Sequence, residues 1–386
     1  MLILKLLFRN AFRNKLRAGL TILGIMVAIL AFGLLRTVIG AWYAGVEASS
    51  ANRLVTRNAV SLVFPLPLAY RDKIRSVQGV ETVSYGTWFG GYYIDQKNFF
   101  ANYCVEPESF LKLYPEFIFS QDEKDAFLND RKGAVAGRKL VERFGWKIGD
   151  IITLKGTVFP GTLDFELRAI YRGKDENTDE GQFFFHWEYF NEVLKKSGNH
   201  PWVDHVGYYM IGVTRPEIAA EVAVSIDQLF KNSLAETLTE TEKAFQQGFI
   251  AMTGAIVTVI QIVSIVVIII IMAVVANTMA MTARERIGEY AILKTLGFGG
   301  IEIAFLTFGE SLVITLIGCI LGMAATFPAA ELFKAELGNY FPIFNIENKT
   351  LLLDIAAAMI VAISAAIIPT RRAIQIRIAD GLRRIG

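Results

Sequence analysis

The sequence predicts a membrane protein with four transmembrane helices and a large α+β extracytoplasmic domain between the first two helices. Hydrophobic residues make up 53% of the 386 residues and charged residues 20%, which is too apolar for a soluble protein and too charged for one lying wholly in a membrane. Four apolar runs each supply the roughly 20 residues with which a helix crosses about 30 Å of hydrocarbon. A polar segment of domain size separates the first two runs.

The chain begins with a basic amphipathic segment, residues 1–18, which is predicted to lie as a helix in the cytosolic membrane interface. Lys5, Arg9 and Arg13 recur at helical spacing on one face, where they would meet anionic lipid headgroups. The first span follows at residues 19–43. A cleaved signal peptide is the alternative, but the apolar run exceeds the roughly 7–15 residues of a signal h-region and no small-x-small site closes it. An uncleaved anchor is therefore expected.

Residues 44–247 form the predicted extracytoplasmic domain. Helical stalks are expected at its two ends, over residues 46–55 and 225–247. Between them the pattern alternates between short strands and helices, as in an α+β fold. The predicted strands lie at residues 80–85, 151–154, 165–171 and 207–213, the helices at 68–77 and 216–230, and a strand-then-helix unit closed by Gly145 at 130–144.

The rest of the chain supplies three more spans and the segments that join them. These are the second span at 248–279, a charged cytosolic segment at 280–302, the third span at 303–327, an outer loop at 328–350, the fourth span at 351–369 and a basic tail at 370–386. Gly318 and Gly322 stand at GxxxG spacing in the third span, which lets two helix backbones approach closely. Pro369 is expected to stop the fourth span.

The placement of basic residues predicts which side of the membrane each segment occupies. Four spans put both termini and the charged segment on one side. The N-terminal segment and the C-terminal tail are basic, and the positive-inside rule places such segments in the cytosol. The domain between the first two spans is therefore expected outside.

No catalytic or metal site is expected in the chain. It contains no GxxxxGK[ST] phosphate loop, no GxGxxG after a strand and no HExxH, and the nearest approach, Gly133–Lys139, has the wrong spacing. No cysteine or carboxylate cluster accompanies His186, His200 or His205 to complete a metal site. The near balance of 39 basic and 37 acidic residues leaves no nucleic-acid-binding footprint.

The second and third spans are almost free of charge. Residues 251–278 contain no charged side chain, and residues 303–327 contain only Glu310. A polar translocation path normally needs ionisable groups within the membrane, so mechanical transmission is expected instead. Glu310 lies near one helix end and is expected to reach the interface; a functional role is the alternative.

The charged segment, Thr282–Glu302, reads TARERIGEYAILKTLGFGGIE. It resembles the ERxREIGxLRALGA pattern of the FtsX-like permeases, the membrane subunits of the MacB/LolC/FtsX (type VII) ABC transporters. Gly288 and Ala291 depart from the pattern. The residues that fall on it without a gap are Glu285, Arg286, Glu289, Ile292, Leu293, Lys294, Leu296 and Gly297.

Three further stretches resemble the same family in the same order, so that the resemblance covers essentially the whole chain. Residues 9–28 resemble the entry into the first span and residues 368–383 the close of the last. Residues 133–156 are similar to part of the MacB-type periplasmic core domain, which favours a bacterial inner (plasma) membrane location. MacB carries a fused ATPase domain that is not found in this sequence.

The resemblance implies that a separate cytosolic ABC ATPase dimer binds ATP and Mg, while this chain needs no cofactor. A second permease chain, identical or different, would complete the membrane part, in contact with lipid, and a periplasmic adaptor or lipoprotein is a further partner that the family allows. Residues 280–302 would form the coupling helix, and a solvated connector is the plainer alternative. Its implied contacts are polar at Glu285, Arg286, Glu289 and Lys294, and apolar at Leu293 and Leu296, with Gly297 ending the helix.

The predicted function is to transmit ATP-driven motion to the outer domain and so to export or extract a hydrophobic or lipidated substrate. The alternative is a transmembrane regulator that activates an extracytoplasmic partner, such as a cell-wall hydrolase, without transport. An aromatic run in the outer domain offers a candidate contact for substrate or partner at Trp88, Phe89, Tyr92 and Tyr93. Packing in the core of that domain is the competing interpretation of these four residues.

Overall fold

A computed structural model describes residues 8–175, 177–198, 201–252, 254–337 and 344–375. The chain forms two compact units. One unit contains Trp42–Met252, and the other is built from the described residues that precede and follow that segment.

The first long helix, α1, spans Lys15–Ala48, and its portion Lys15–Ala44 is long and apolar enough to cross a membrane. The helix ends at Ala48, and a strand begins at Arg53. The helix expected over residues 46–55 is therefore wrong for its second half. The β-branched and buried residues that follow Arg53 favour a strand.

The unit that follows alternates short strands and helices. In chain order they are β1 Arg53–Asn58, β2 Leu66–Pro67, α2 Tyr70–Arg75, β3 Val80–Trp88, β4 Gly91–Tyr93, β5 Ala101–Val105, α3 Pro107–Leu113, β6 Phe117–Ile118, α4 Gln121–Asn129, β7 Gly133–Gly137, α5 Arg138–Phe144, β8 Ile151–Gly156, β9 Thr162–Gly173, β10 Gln182–His186, α6 Trp187–Lys196, β11 His205–Val206, β12 Tyr208–Val213, α7 Ala219–Leu229, β13 Thr237–Thr241 and α8 Glu242–Met252. The strand-then-helix unit predicted at 130–144 is confirmed as β7 and α5. Gly145 ends α5 with φ +68, in the left-handed region that favours glycine.

One mixed sheet organises this unit, with strand order β13-β1-β12-β3-β5-β10-β7-β9-β8-β4. The pairs β5–β10 and β7–β9 are parallel, and the other neighbours in this order are antiparallel. Strand β6 joins β9 outside this path, while β2 and β11 form a small sheet of their own. The α+β architecture predicted for the domain is confirmed.

Both faces of the sheet are covered, because side chains of successive strand residues point to opposite faces. In β10, Phe183 and Phe185 enter one apolar cluster and Phe184 enters the other. Helices α6 and α7 contribute to the first cluster, and α3 and α4 to the second. The sheet is thus the middle layer of the unit.

The continuous helix expected over residues 225–247 is wrong. Helix α7 ends at Leu229, and Thr237–Thr241 form β13, which pairs with β1. The Asp227 carboxylate fixes this arrangement, accepting bonds of 2.8 and 2.7 Å from the hydroxyls of Thr237 and Thr239 and one of 3.0 Å from the Thr239 amide. The helical spacing of the leucines in this segment is outweighed by buried threonines that suit a strand.

Four further helices complete the other unit: α9 Gly254–Glu285, α10 Ile287–Thr295, α11 Gly300–Leu337 and α12 Asn348–Gln375. In the described residues, α1, α9 and α11 contain the segments that are long and apolar enough to span a membrane. The predicted fourth span falls in α12 and stays a prediction.

Two prolines do not end helices as their positions in the sequence led us to expect. Pro328 lies inside α11, which continues to Leu337, and position 369 lies inside α12, which continues to Gln375. An apolar helix tolerates a proline where its neighbours compensate for the missing backbone donor. The outer loop predicted at 328–350 is therefore shortened at both ends, and residues 376–386 of the predicted tail lie outside the described part of the chain.

Candidate functional site

The charged segment between α9 and α11 is a short helix between two bends. Arg286 interrupts the helical path between α9 and α10, with φ −100 and ψ 14. At the other end Gly297 has φ +94. The amide of Phe298 donates to the carbonyl of Leu293 at 3.0 Å and the amide of Gly297 to that of Lys294 at 3.1 Å, the two bonds of a Schellman motif. Gly297 therefore ends the helix, as its sequence position implied.

Arg286 and Glu310 form a buried ion pair at the start of this segment. Arg286 is only 6% exposed. Its guanidinium donates hydrogen bonds to the two carboxylate oxygens of Glu310, at 2.5 and 2.6 Å. Burial lowers the pKa of Arg286, but Glu310, Tyr290 and Glu289 together raise it by more, so the guanidinium stays charged. The expectation that Glu310 reaches the interface is wrong, since a charge on an apolar helix is stabilised by a partner within the bundle.

The acidic residues of the segment bind the basic N-terminal part of the chain. Arg17 donates to both carboxylate oxygens of Glu285 at 2.6 and 2.7 Å. Glu289 pairs with Arg13 and, at 2.9 Å, with Arg286. Burial raises the pKa of Glu289, but hydrogen bonds from Arg286 and Arg13 lower it by more, so the carboxylate stays ionised. Arg13, predicted to face lipid headgroups, instead contacts the charged segment.

A cavity of about 310 Å³ lies beside these ion pairs. Asn10, Lys15 and Arg17 line it from the N-terminal side, Thr278 from α9 and Glu310 from α11. The walls are mostly polar or charged, so the ion pairs act on the N-terminal segment in addition to the apolar packing of Ala11 and Phe12.

The remaining implied contact residues differ in their surroundings. Lys294 donates from Nζ to the backbone oxygen of Ile374 in α12 at 2.7 Å. Leu293 packs against the small apolar cluster of Ala283, Tyr290 and Ile303. Leu296 is 71% exposed. The polar residues of the motif thus bind within the chain, and Leu296 is left at the surface.

Leu296, one of the two apolar contacts implied by the resemblance, belongs to an exposed apolar surface whose other members were not singled out as contacts from the sequence. We call it the apolar tip, and it consists of Ile292, Leu296, Phe298 and Ile301, all of which are exposed. Phe298 and Ile301 flank the glycines of the sequence GFGGI. Large apolar side chains beside glycines, in a short turn between charged positions 294 and 302, are the signal that could have identified this surface.

Gly318 and Gly322 lie where α11 crosses α1. A Cβ atom on Gly318 would lie 2.7 Å from Cβ of Ile25, and one on Gly322 would lie 2.8 Å from Cβ of Ile29. Backbone oxygens of α1 lie almost as near: one is 3.1 Å from the Cβ position on Gly318, and another is 2.9 Å from that on Gly322. The two helices therefore touch through backbone and branched side chains, with space only for glycine.

Threonine hydroxyls in the apolar helices donate to carbonyls of their own helix. Thr21, Thr37 and Thr326 each bond the residue four positions earlier, at 2.8 to 2.9 Å. These hydroxyls satisfy their hydrogen-bonding capacity locally, as is usual for threonine in apolar helices.

The four aromatic candidates of the outer domain divide between core and surface. Phe89 is 1% exposed and its ring contacts those of Phe185 and Phe190, with centroids 5.6 and 5.9 Å away. Tyr93 packs against two rings of the same core. Trp88 is 44% exposed, and Tyr92 is half-buried in β4, the last strand of the sheet. Trp88 and Tyr92 thus stay candidates for contact with a substrate or partner.

A buried ion-pair network joins the first strand of this unit to its last helix. Arg53 in β1 pairs with Glu242 in α8 at 2.9 Å and with Glu116 at 2.7 Å. Glu242 also accepts the amide of Ser50 at 2.9 Å and the hydroxyl of Tyr114 at 3.1 Å. We call this set the base network. No local pattern in the sequence predicts it, because its members are far apart in the chain.

The described histidines bind backbone oxygens of the same unit. His186 Nε2 lies 2.7 Å from the oxygen of Phe127, and His205 Nδ1 lies 2.7 Å from that of Val203. Burial lowers the pKa of His186, which is therefore neutral at pH 7. His200 lies outside the described residues.

Comparisons with known proteins place the chain among membrane transport proteins. Residues 261–378 match the FtsX-like permease C-terminal family. An uncharacterised ABC transporter permease of Methanocaldococcus jannaschii is 23% identical over 358 residues, which cover 85% of this chain and 83% of that protein.

Two solved structures resemble part of the chain. The extracellular domain of the noncanonic ABC-type transporter YknZ from Gram-positive bacteria aligns with a TM-score of 0.36 and 10% identity, over 49% of this chain and 100% of that one. The periplasmic region of MacB from Actinobacillus actinomycetemcomitans aligns with a TM-score of 0.38 and 11% identity, over 53% of this chain and 95% of that one.

Proposed function

Since the chain is an FtsX-like permease, we propose that it is the membrane subunit of an ABC transporter that passes the motion of a separate ATPase dimer to its α+β domain. The ATPase binds ATP and Mg, and a second permease chain completes the membrane part. The observation that carries this proposal is the apolar tip, which lies on a segment anchored by ion pairs.

The apolar tip is the surface that docks the ATPase. Its four side chains are exposed although they lie beside an ion-pair network, and a groove on the partner would remove them from water. Leu296 occupies its centre in the sequence. The polar residues Glu285 and Arg286 act indirectly, because their charges already bind Arg17 and Glu310 within this chain.

The ion pairs make the docking segment a rigid extension of the helices. Arg286 ties it to α11 through Glu310, Lys294 ties it to α12, and Glu285 ties α9 to α1 through Arg17. Force applied at the apolar tip is therefore passed to all four long helices rather than absorbed in a loose turn. The outer domain responds because α1 and α9 are continuous in sequence with its two ends, apart from short connections.

The proposed topology puts both termini and the apolar tip in the cytosol and the α+β domain outside an inner, or plasma, membrane, because the basic residues cluster in the terminal segments. The substrate is hydrophobic or lipidated, and it is exported or extracted by movement of the outer domain. Trp88 and Tyr92 supply apolar surface for this contact.

Leu296→Glu tests the docking surface. Because burial of a leucine side chain contributes about 1.5–3 kcal/mol and about 1.4 kcal/mol is a tenfold change, we expect ATPase affinity to fall about tenfold or more. The measurement is copurification of the ATPase with tagged chain from native membranes, followed by titration of the purified components.

Leu234→Glu in the α+β domain is the control, because Leu234 is a fully exposed leucine outside the apolar helices. It receives the same charge outside the apolar tip and should leave ATPase binding unchanged. Undiminished ATPase binding by Leu296→Glu, or equal loss in both variants, would contradict the assigned surface.

A further inference from the structure

Asp354 is a buried carboxyl group without a hydrogen-bond partner in the apolar helices. It lies in α12, is 0% exposed, and neither of its carboxylate oxygens has a hydrogen-bond partner among the described residues. Glu310, the other buried acid of these helices, is paired with Arg286. The bundle thus provides a charge partner for one buried acid and not for the other.

The surroundings of Asp354 are small and uncharged. A Cβ atom on Gly33 of α1 would lie 3.0 Å from Oδ2 of Asp354 and 3.2 Å from the hydroxyl oxygen of Thr326, so glycine leaves the space that the carboxyl group fills. The hydroxyl of Thr326 donates to Gly322 at 2.9 Å, and that of Thr37 donates to Gly33 at 2.8 Å. Neither hydroxyl hydrogen is directed to Asp354.

A candidate cation is Arg36, which lies about one helical turn after Gly33 on α1. Its Nε atom is buried and has no hydrogen-bond partner, and no ion pair joins it to Asp354 among the described residues. Helix α9 contains no ionisable residue before Arg284, and Glu347 lies against Gly40, with Oε1 2.8 Å from the position of a Cβ there. Cys319 on α11 is a titratable group that interacts with Asp354, and no cation among the residues that the structure describes pairs with the carboxyl group.

An ionised carboxylate in such a place is far more costly than a neutral acid, since nothing replaces the water that solvated its charge. From this geometry we infer that Asp354 is a proton-binding site. In the packing described here it holds a proton. When α1 and α12 separate enough to admit water, its O–H bond breaks, the proton passes to water, and the carboxylate left behind can pair with Arg36.

The proton links the packing of α1 and α12 to pH, independently of the ATPase. A folded state that binds a proton which the opened state releases is stabilised at low pH and destabilised as pH rises. Asp354→Asn keeps the shape and the neutral state but cannot release a proton. In this variant, position 354 should therefore contribute no pH dependence to the packing of α1 against α12.

Infrared difference spectra of the full-length chain in lipid nanodiscs test the protonation state. The wild-type minus Asp354→Asn spectrum at about pH 5.5, where an exposed aspartate is already ionised, should contain a carboxylic-acid C=O band and no carboxylate band. Glu331→Gln is the control, because Glu331 is exposed and lies 3.8 Å from Lys334, so its spectrum should contain a carboxylate band. A carboxylate band from Asp354 would overturn the inference.

Two further measurements distinguish a bound proton from a hidden ion pair. Arg36→Gln should leave the acid band of Asp354 unchanged, whereas a hidden ion pair would convert carboxylate to acid in that variant and contradict the inference. The melting temperature of the wild type should fall relative to that of Asp354→Asn as pH is raised from about 6 to about 9. Parallel melting curves for the two proteins would also count against it.

Discussion

Trp88 and Phe89 are neighbours in the chain with opposite surroundings. Trp88 ends β3 at the surface beside Phe99, with ring centroids 6.4 Å apart. Phe89 points the other way, into the aromatic core. Alternation of faces along an extended backbone is enough to separate a structural residue from a candidate contact residue.

Alanine at these two positions should have different consequences. Phe89→Ala removes a fully buried ring, and we expect the free energy of unfolding to fall by about 3–5 kcal/mol. Trp88→Ala should change it by less than about 1 kcal/mol but weaken binding of the substrate or partner. Denaturant unfolding of the full-length chain measures the first effect and a binding or transport assay the second. Equal destabilisation by both variants would make Trp88 a core residue.

The sequence identifies the charged motif residues but not the partners of their charges. Glu285 and Arg17 are separated by 268 positions, and Arg286 and Glu310 by 24. Their meeting depends on how the helices pack, which local spacing does not determine. A charge pattern therefore predicts that these residues matter, while the assignment of their contacts to another protein needs the folded chain.

Among the secondary-structure elements, α1 and α11 are matched through their surfaces. The glycines of α11 form a flat strip, and Ile25 and Ile29 of α1 fill it. In apolar surroundings such close packing is a main source of helix association, because lipid competes equally well for apolar side chains.

Gly318→Ala and Gly322→Ala should separate these helices. Each new methyl group would meet an isoleucine Cβ at less than 3.0 Å, and overpacking of this kind costs about 1–3 kcal/mol. The thermal stability of the purified chain is the measurement. Gly19→Ala is the control, because nothing lies within 4 Å of its new methyl group and alanine favours a helix. Unchanged stability in both α11 variants would be inconsistent with this packing.

The elements that the sequence predicts best are those with a strong local signal. The strand-then-helix unit ending at Gly145 needs only alternation and a left-handed glycine, both of which are local. Strand β13 was missed because its identity depends on pairing with β1 and on the carboxylate of Asp227. The predicted third span ended too early, before Pro328, because whether a helix continues through a proline depends on the surrounding helices.

For the whole molecule, the base network is important because it joins the chain just after α1 to the chain just before α9. Arg53 follows the first long helix, and Glu242 opens the helix that precedes the second. The network therefore ties together both ends of the α+β domain. Transport is the proposed function, and activation of an extracytoplasmic partner stays the alternative prediction. A crosslinking pulldown with the full-length chain would identify what binds the outer domain.

Arg53→Met should uncouple these ends. It leaves the buried carboxylate of Glu242 and the half-buried one of Glu116 without a cation, and breaking a buried pair costs about 3–5 kcal/mol. Arg57→Met is the control on the same strand, because Arg57 and Glu240 are more exposed and should contribute at most about 1 kcal/mol. Denaturant unfolding compares the two variants. A similar loss of unfolding free energy in both variants would contradict the idea that the base network stabilises the domain more than an exposed ion pair does.

The local hydrogen bonds of the threonines in α1 and α11 bear on how the bundle can open. Thr21, Thr37 and Thr326 keep their bonds when neighbouring helices part, because each donates to its own helix. The ion pairs of α1 with the charged segment lie at one end, at Arg13 and Arg17. The first helix is therefore held by ion pairs at that end and by close packing of apolar side chains along the rest of its length. We therefore expect any opening between α1 and its neighbours to hinge at the end held by Arg13 and Arg17, because the hydrogen bonds of these threonines need not break.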